Sequence, residues 1–512
     1  MAEQYLLGID IGTSGSSGVI VDDDLAVVAS ASTEHDFRVP NPGWLEHDAD
    51  EVWWDDFVAL SRELLDGTGV DPAAIAGVGV SAIFAAMQPV DGDGDPLRPA
   101  ILYGVDTRTT DEIADLTDRI GGETIYETCG NRLTFQSVGP KILWYKRNEP
   151  ELFAETEKIV DATGYVVHEL TGNYTIDNAI ASYFHPMYDP ETCSWDEEMV
   201  EAVGISRDLL PDPGWATEIA GGVTDEAAAE TGLEPGTPVI VGTGDALASM
   251  VSVGAVDPGE AIFMYGTTGV IFTVLGGNRA PEGLWSGPFV FEDTYHAGGG
   301  MATSGAIVRW FRDELADAER RRAEGAAADA YELLDGQAAG VVPGSDGLVL
   351  LPYFSGERTP ITDDSARGTL VGLTLQHTKG HLFRAILEGV GYGFRHHVEA
   401  MADVGIDVDR VRAIGGGAGS ELWRGIVSDI TGVSQEYVAD PLGSPLGDAF
   451  LAGYGTGVFE SLDALETRVA VTGSTDPDPA NRDVYDEYYH VYRDLYPQVR
   501  DSMHRLAALG DE

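Results

Sequence analysis

The sequence has 512 residues, of which 43% are hydrophobic, so it is long enough to form two domains of about 250 residues. It contains 30 lysine and arginine residues against 86 aspartate and glutamate residues, and this formal net charge of −56 argues against nucleic acid as a partner. Its apolar segments are all shorter than the ~18–20 uninterrupted residues of a membrane span, so we expect no membrane insertion.

The acidic residues are spread along the whole chain and do not form one acidic tail. Lysine occurs at only four positions, Lys141, Lys146, Lys158 and Lys379. A disordered acidic chain would lack this apolar content. The pattern indicates a folded protein of a salt-adapted, halophilic organism, because at 1 M salt the Debye length is about 3 Å and self-repulsion is screened.

Compartment is indicated by the cysteines and by the N-terminus. Cys129 and Cys193 are the only cysteines, which gives neither a disulfide framework nor a metal-spaced set. The N-terminal residues MAEQYLLGID enter a strand at once, without a basic region or a cleavage site. We therefore expect a cytoplasmic protein, with a homodimer as a candidate assembly.

The first predicted element is a β-hairpin over residues 7–22, LGIDIGTSGSSGVIVD, and a further strand continues this meander. Its turn carries Thr13 and Ser14 beside glycines, so hydroxyls and unobstructed backbone N–H groups are available to hold a phosphate. Asp10 lies in the first strand between two isoleucines, where a carboxylate is costly unless it is paired or near a metal. This position predicts a role for Asp10 in holding Mg²⁺.

Strand and helix patterns then alternate. The sequence predicts a helix over 48–69, a buried strand over 76–83 and another strand over 97–108. The last of these ends on Asp106 and Arg108, which have two interpretations. They could contact the hydroxyls of a substrate, or they could pair with each other.

Asp245 follows the next buried strand, within the glycine-rich segment GTGDA. An aspartate after a strand often caps the N-terminus of a helix. The functional interpretation is a general base at the mouth of a cleft. Both interpretations stay open on the local sequence alone.

A second hairpin is predicted over 262–275, IFMYGTTGVIFTVL, with Thr267 in its turn. Its similarity to the first hairpin indicates a duplicated fold that holds phosphates between its halves, which points to ATP. We expect the boundary between residues 246 and 260. The resulting domains are residues 1–250, with the first hairpin, and 251–512, with the ATP site and a helical tail.

Later elements include a segment over 316–336 that is a polar helix or a solvated connector, without a chemical signal, and a long amphipathic helix over 381–405. A small-residue helix around PLGDAFLAGYG follows. The C-terminal helix repeats tyrosines at helical spacing, which predicts a packing face.

The segment GGGAGS, from Gly415 to Ser420, joins a predicted strand to a helix. Backbone in such a turn can approach an anionic ligand closely. With Gly417 and the later Glu436 it half-matches the dinucleotide fingerprint of a dehydrogenase, but the third glycine is misplaced. This segment therefore has three interpretations: a nucleotide site, the dinucleotide site of a dehydrogenase, or a turn with a structural role alone.

In combination these segments resemble the FGGY family of carbohydrate kinases. The most specific segment is GTLVGLTLQHTKGHLFRAILE, residues 368–388, which fits the C-terminal signature of the family. SVGPKILWYKRNEP, residues 137–150, resembles the N-terminal signature but has Val138 at its usual small or proline position. LPYFSGERTPITDDSARG and PGWLEHDADEVWW are also typical of the family. The resemblance covers the chain from Leu6 to about Phe459.

The resemblance implies an α/β fold of two ribonuclease-H-like domains, of the actin and hexokinase type, with the catalytic cleft between them. It implies transfer of the γ-phosphoryl group of ATP, with Mg²⁺, to a hydroxyl of a small sugar or polyol. By this resemblance Asp245 is the general base, and Asp10 holds Mg²⁺ directly or through water. The nucleotide-binding residues it implies are Thr13, Ser14, Thr267, Gly305, Gly417 and Ser420.

One departure from the family concerns the substrate. Xylulose-kinase-like members, which the chain resembles most, carry Ser-Gly-Gln-Met-His-Gly after the buried strand, whereas this chain has Ser-Ala-Ile-Phe-Ala-Ala over 81–86. Phe84 and Ala85 would then line the sugar site, together with Asp106, Arg108 and Asp245, and make it more apolar. The expected substrate is a ketopentose such as xylulose. The alternatives are another pentose, a polyol such as glycerol, an aldonate such as gluconate, or a nucleotide-binding regulator without kinase activity.

Overall fold

The computed structural model describes residues 4–279, 283–326, 329–438, 442–469 and 471–510. Its core consists of two seven-stranded sheets, one built from the first half of the chain and one from the second.

Strands of the first half are β1 (Tyr5–Ile11), β2 (Gly15–Asp22), β3 (Val27–Glu34), β4 (Glu46–His47), β5 (Ile75–Ala82), β6 (Gln88–Val90), β7 (Ala100–Ile101), β8 (Lys158–Val160), β9 (Thr175–Asp177), β10 (Tyr188–Asp189), β11 (Ser194–Trp195), β12 (Asp212–Gly214), β13 (Ile219–Gly222), β14 (Pro238–Ile240) and β15 (Thr243–Gly244). Its helices are α1 (Asp55–Thr68), which a π-helical segment (Ala49–Trp54) precedes, α2 (Thr110–Ile120), α3 (Gly122–Cys129), α4 (Val138–Asn148), α5 (Pro150–Glu155), α6 (Ala162–Thr171), α7 (Asn178–Ala181), α8 (Glu197–Val203), α9 (Asp225–Thr231) and α10 (Asp245–Ser252).

Strands of the second half are β16 (Glu260–Tyr265), β17 (Gly269–Leu275), β18 (Trp285–Pro288), β19 (Tyr295–Met301), β20 (Val349–Leu351), β21 (Thr369–Val371), β22 (Arg410–Ile414), β23 (Gln435–Val438) and β24 (Val471–Thr475). Its helices are α11 (Gly305–Leu315), α12 (Asp317–Ala326), α13 (Ala330–Ala339), α14 (Lys379–Ala402), α15 (Glu421–Thr431), α16 (Ser444–Gly455), α17 (Asp463–Arg468) and α18 (Arg482–Gly510). A 3₁₀ turn (Gly416–Gly419) joins β22 to α15.

The two sheets have the same strand arrangement. In the first, the order β3-β2-β1-β5-β14 begins with an antiparallel meander and continues with parallel strands, and β13 closes the edge antiparallel to β14. In the second, the order β19-β17-β16-β22-β23 repeats this pattern, with β24 antiparallel to β23. The duplicated α/β fold predicted from the two hairpins is confirmed.

Each hairpin occupies the same place in its sheet. Asp10 pairs with Ser17 across the first hairpin, and Gly12 donates to the carbonyl of Gly15 (3.1 Å) to close the turn. In the second hairpin Tyr265 pairs with Gly269, directly beside the turn.

Two short helices pack closely where the halves meet. Helix α16 belongs to the second half of the sequence, yet it lies against β1 and β5 of the first sheet and against α10. Gly8 and Gly79 permit this approach, because an added Cβ would lie 2.0 Å from the carbonyl oxygen of Pro445 and 2.1 Å from that of Asp448. The first residues of α10 and α16 are thereby brought to the same place.

Two predicted elements are corrected. The strand expected over 97–108 is limited to Ala100–Ile101, because the chain turns directly afterwards and Asp106 N donates to the carbonyl of Tyr103 (3.0 Å). The polar helix expected over 316–336 is two helices, α12 and α13.

The C-terminal helix packs as predicted, because its tyrosines at positions 485, 489 and 492 are buried in the core of the second half. Among the described residues, every helix falls short of the length and apolar content that a membrane crossing requires.

Candidate active site and nucleotide cavity

A large cavity of about 760 Å³ opens in the second half of the molecule. It lies between the turn of the second hairpin, the start of α11, helix α13 and the 3₁₀ turn before α15. The residues that line it include four that the sequence singled out for nucleotide binding, Thr267, Gly305, Gly417 and Ser420.

The hairpin turn is fixed to the N-terminus of α11. Gly305 N donates to the carbonyl of Gly266 (2.8 Å), and Ser304 N donates to the carbonyl of Thr267 (3.0 Å). A Cβ on Gly305 would lie only 2.6 Å from that Gly266 oxygen, so this contact requires glycine. The hydroxyl of Thr267 and the positive end of the α11 dipole therefore face the same region, which favours an anionic group.

The opposite wall of the large cavity carries acidic groups. Ser420 caps α15 by accepting from Trp423 N (3.1 Å), and its hydroxyl donates to Asp335 of α13 (2.6 Å). Burial raises the pKa of Asp335. Tyr331 and Glu332 also line this wall. The segment 316–336, in which we expected no chemical signal, therefore contributes residues to the cavity. This contribution is visible only in the folded chain, where Asp335 lies beside Ser420.

The turn of the first hairpin lies in the first half of the molecule. The hydroxyl of Thr13 is 3.0 Å from that of Tyr103, and His47 Nε2 is 3.1 Å from the carbonyl oxygen of Thr13. Ser14 is exposed at the tip of the turn. Sequence reasoning missed Tyr103, which is near Thr13 only because of the turn that follows β7.

Three aspartates form a carboxylate cluster where β1, α10 and α16 meet: Asp10, Asp245 and Asp448. Asp245 is the first residue of α10, and Ser444 at the start of α16 donates to its backbone carbonyl (3.0 Å). Burial raises the pKa of Asp245 to about 6. Burial, with a smaller contribution from the charge of Asp245, raises the pKa of Asp10 to about 8.

Asp448 is fully buried, and burial raises its pKa well above the ordinary value, with a smaller contribution from Asp10. The hydroxyl of Ser81 lies 2.7 Å from Asp448 Oδ2 and 3.0 Å from Asp10 Oδ1. Because one hydroxyl donates one proton, the short contacts with both carboxyls require a proton on one of them. Sequence reasoning missed Asp448, although an acidic residue among the small residues of α16 was a visible signal.

Asp10 has the environment expected of a carboxylate that assists a bound cation. Within the described residues, no group of three or more His, Cys, Asp or Glu side chains forms a ready-made metal site. Mg²⁺ is often held by one or two carboxylates together with nucleotide phosphates, so a single carboxylate beside a phosphate-binding turn fits this ion. Asp10 makes hydrogen bonds with serine hydroxyls and has no cationic partner in the described part of the chain.

Phe84 and Ala85, which stand where related chains carry Met and His, differ in their positions relative to Asp245. The ring of Phe84 packs against Gly244, next to Asp245, and contacts Tyr183 edge to face at 5.1 Å. Ala85 is 0% exposed, and its carbonyl accepts from the buried Lys141 (3.2 Å). The expectation that Ala85 lines the sugar site is therefore corrected, because its side chain has no surface in the cleft.

Asp106 and Arg108 form a buried ion pair. Arg108 makes several hydrogen bonds with Asp106, the shortest 2.7 Å, and a further one with Glu46 (2.8 Å). The guanidinium also lies 4.2 Å from the ring centre of Trp44. The side chains of Asp106 and Arg108 are both 0% exposed. The expectation that they contact the sugar is therefore corrected, because they pair with each other inside the protein.

A small cavity of about 60 Å³ lies between the two halves. Its wall from the first half includes Gly104 and Gln136. The side-chain oxygen of Gln136 accepts a hydrogen bond from Gly104 N (2.9 Å), and its side-chain nitrogen donates to the carbonyl of Phe84 (2.9 Å). Its wall from the second half includes Trp285 and Arg358. Sequence reasoning missed Arg358, although the segment SGERTP was recognised as a family feature.

Comparison with protein families gives matches to both halves of the chain. The N-terminal domain of the FGGY family of carbohydrate kinases matches residues 5–252, and the C-terminal domain of the same family matches residues 261–456.

Individual relatives span nearly the whole chain. The crystal structure of xylulose kinase from Rhodospirillum rubrum is 33% identical, with a TM-score of 0.90, and the match covers 98% of this chain and 100% of that chain. Xylulose kinase of Escherichia coli strain K12 is 30% identical, covering 96% of this chain and 99% of the relative. Gluconokinase of Bacillus subtilis strain 168 is 31% identical, covering 91% of each.

Proposed function

The chain belongs to the FGGY family of carbohydrate kinases and is an ATP-dependent sugar kinase, and we propose that its acceptor is a ketopentose such as xylulose. Two of the similar proteins named above are xylulose kinases, at 30% and 33% identity over almost the whole chain. The gluconokinase at 31% identity makes an aldonate the alternative acceptor.

The observation that carries the mechanism is the position of Asp245. It begins α10 beside the ring of Phe84, and its charge influences both Asp10 and Tyr103, the partner of Thr13. The carboxylate therefore lies where a sugar beside Phe84 and a phosphate at the first hairpin turn would meet. A pKa of about 6 leaves it ionised at neutral pH and able to accept a proton.

The proposed step balances as follows. The O–H bond of the sugar hydroxyl breaks, and its proton passes to Asp245. A bond forms between that oxygen and the γ-phosphorus, while the bond from the γ-phosphorus to the bridging oxygen breaks and leaves its electron pair on ADP. Phosphoryl transfer depends mainly on positioning and charge neutralisation, which the two hairpin turns and the α11 N-terminus supply.

We assign the nucleotide to the large cavity, with Gly305, Gly417 and Ser420 near the adenosine and Thr13, Ser14 and Thr267 near the phosphates. Asp10 would hold Mg²⁺, directly or through water, and the ion would neutralise phosphate charge when bound. The domain division that accompanies this assignment is 1–250 and 251–512.

We propose further that the enzyme works in the cytoplasm of a salt-accumulating cell. The support is the net charge of −56 with only 30 basic residues and, within the described chain, two cysteines that are both free. A homodimer is the assembly proposed for it, and sedimentation in concentrated KCl would measure it.

The experiment that tests the acceptor is a screen of xylulose, other pentoses, glycerol and gluconate with MgATP in concentrated KCl. ADP release is measured, and each product is identified by mass. The proposal expects kcat/KM to be highest for xylulose. A higher value for gluconate or glycerol would replace the ketopentose, and ATP turnover without any phosphorylated acceptor would contradict the proposal.

A further inference from the structure

Arg358 lies on a segment whose neighbouring side chains fix it to the second sheet. Glu357 accepts from Ala302 N (2.9 Å) at the end of β19, and the Thr359 hydroxyl accepts from Gly300 N (2.7 Å). Both of these side chains are buried. Arg358 stands between them, and all three residues line the small cavity.

The guanidinium of Arg358 is not engaged in an ion pair among the described residues, although its charge, against the larger effect of burial, lowers the pKa of the neighbouring Glu357 and Asp364. The backbone N–H of Arg358 donates to Glu357 (2.8 Å), but within the described residues its side chain makes no hydrogen bond and no ion pair. Other enclosed arginines, such as Arg98 and Arg384, are paired with carboxylates. In a chain with 86 acidic and 30 basic residues, a half-buried arginine left unpaired indicates that its position is reserved for an anion from outside the protein.

The groups opposite Arg358 belong to the phosphate side of the site. Tyr103 bonds to Thr13 of the first hairpin, and the charges of both Asp245 and Arg358 act on its hydroxyl, the first raising its pKa and the second lowering it. Burial is the main cause of the raised pKa of Tyr103. Arg358 therefore approaches Tyr103, the partner of Thr13, from the second half of the molecule.

We propose that Arg358 binds the phosphoryl group during its transfer from ATP to the sugar. The proposal rests on the proposed function and adds a catalytic residue to it. In the balanced step given above, negative charge spreads over the three peripheral oxygens of the moving group. The planar guanidinium offers two parallel N–H donors to such oxygens, and this interaction is stronger in the transition state than with ADP alone.

An alternative ligand with the same chemistry is the carboxylate of an aldonate substrate. The two sources are separated by using a neutral sugar and gluconate in parallel. An arginine that serves the phosphoryl group affects turnover of both substrates, whereas one that serves a substrate carboxylate affects KM for gluconate alone.

The test compares Arg358→Ala and Arg358→Lys with Arg505→Ala, a matched loss of one charge at an exposed position on α18. We expect Arg358→Ala to lower kcat about 10²-fold or more with the best acceptor, with KM for ATP nearly unchanged. Arg358→Lys should retain an intermediate rate. The thermal unfolding temperature should change little, since within the described residues the side chain makes no hydrogen bond or ion pair that the substitution would remove.

A second measurement does not depend on turnover. Calorimetry with the sugar bound should show that Arg358→Ala binds ADP like the wild type but binds ADP with fluoroaluminate, a mimic of the moving phosphoryl group, at least about 10-fold more weakly. Equal loss for ADP and for the mimic, or an effect on gluconate KM alone, would overturn the proposal. If wild-type protein phosphorylates no acceptor while the mimic still binds in an Arg358-dependent way, it is the proposed function that fails.

Discussion

Asp177 supports the loop that carries the proposed base, and its burial makes a measurable prediction. It is 1% exposed and accepts from the Thr243 hydroxyl (2.7 Å), and the backbone N–H groups of Asn178 and Ala179 oppose the effect of burial on its pKa only in part. Within the described residues no basic side chain pairs with it. Burial raises the pKa of Asp177 to about 8 from an ordinary value of 3.8.

The sign of the effect on stability follows from these two values. Between pH 3.8 and about 8 the folded chain keeps a proton on Asp177 that the unfolded chain has lost. The stability that Asp177 contributes is therefore fully present below pH 3.8, the pKa of the unfolded state, and is lost as the pH rises to about 8, the pKa of the folded state. Asp177→Asn keeps the shape of the side chain but does not take up this proton. The free energy of unfolding of the variant, relative to that of the wild type, should therefore rise by about 1.4 kcal/mol per pH unit.

The assay is urea unfolding in about 2 M KCl without Mg²⁺ or nucleotide, at about pH 5.5 and about pH 7.5. We expect the difference between Asp177→Asn and wild type to grow by roughly 3 kcal/mol over this interval. Asp93→Asn, at an exposed position, is the matched control and should show no such growth. A constant difference between Asp177→Asn and wild type at the two pH values would refute the reasoning, because Asp177 would then be ionised in the fold.

Three further predictions follow from the site and the surface. The profile of kcat/KM should fall about tenfold per pH unit below about pH 6, because Asp245 must be ionised to act as a base; a limb near pH 4 would contradict its raised pKa. Gly305→Ala should raise KM for ATP by roughly 5- to 150-fold, since its Cβ would lie 2.6 Å from Gly266 O and the strain is about 1–3 kcal/mol; unchanged nucleotide affinity by calorimetry would count against the assignment of the large cavity. The unfolding temperature should rise between about 0.1 and about 2 M KCl, because salt screens the net charge of −56; a flat or falling curve would contradict salt adaptation.

The sequence was most informative where function depends on local backbone. Each hairpin has a turn of glycine with threonine between two apolar strands, and both hairpins form as the pattern predicts. The strand, turn and helix around Gly415–Ser420 are also local, so their shape could be read from glycine and from the cap residue.

Contacts between distant segments could not be read in this way. Tyr103 reaches Thr13 across 90 residues, and Ser81 reaches Asp448 across 367. Arg358 is distinguished by a guanidinium without an ion pair in the described part of the chain, which only the folded surroundings reveal. Sequence reasoning named Asp106 and Arg108 as candidate site residues but could not predict that Arg108 also pairs with Glu46 in the interior. This pairing depends on how the chain packs around Trp44.

The most direct test of the account is the turnover of Asp245→Asn with the best acceptor from the screen. Asparagine keeps the size of the side chain and cannot accept the proton of the sugar hydroxyl. We predict that kcat falls by roughly 10²–10⁴-fold, while calorimetry shows unchanged binding of ATP and sugar. A variant that kept more than about a third of the wild-type rate would contradict the account, because Asp245 would then only begin a helix and the base would have to lie elsewhere.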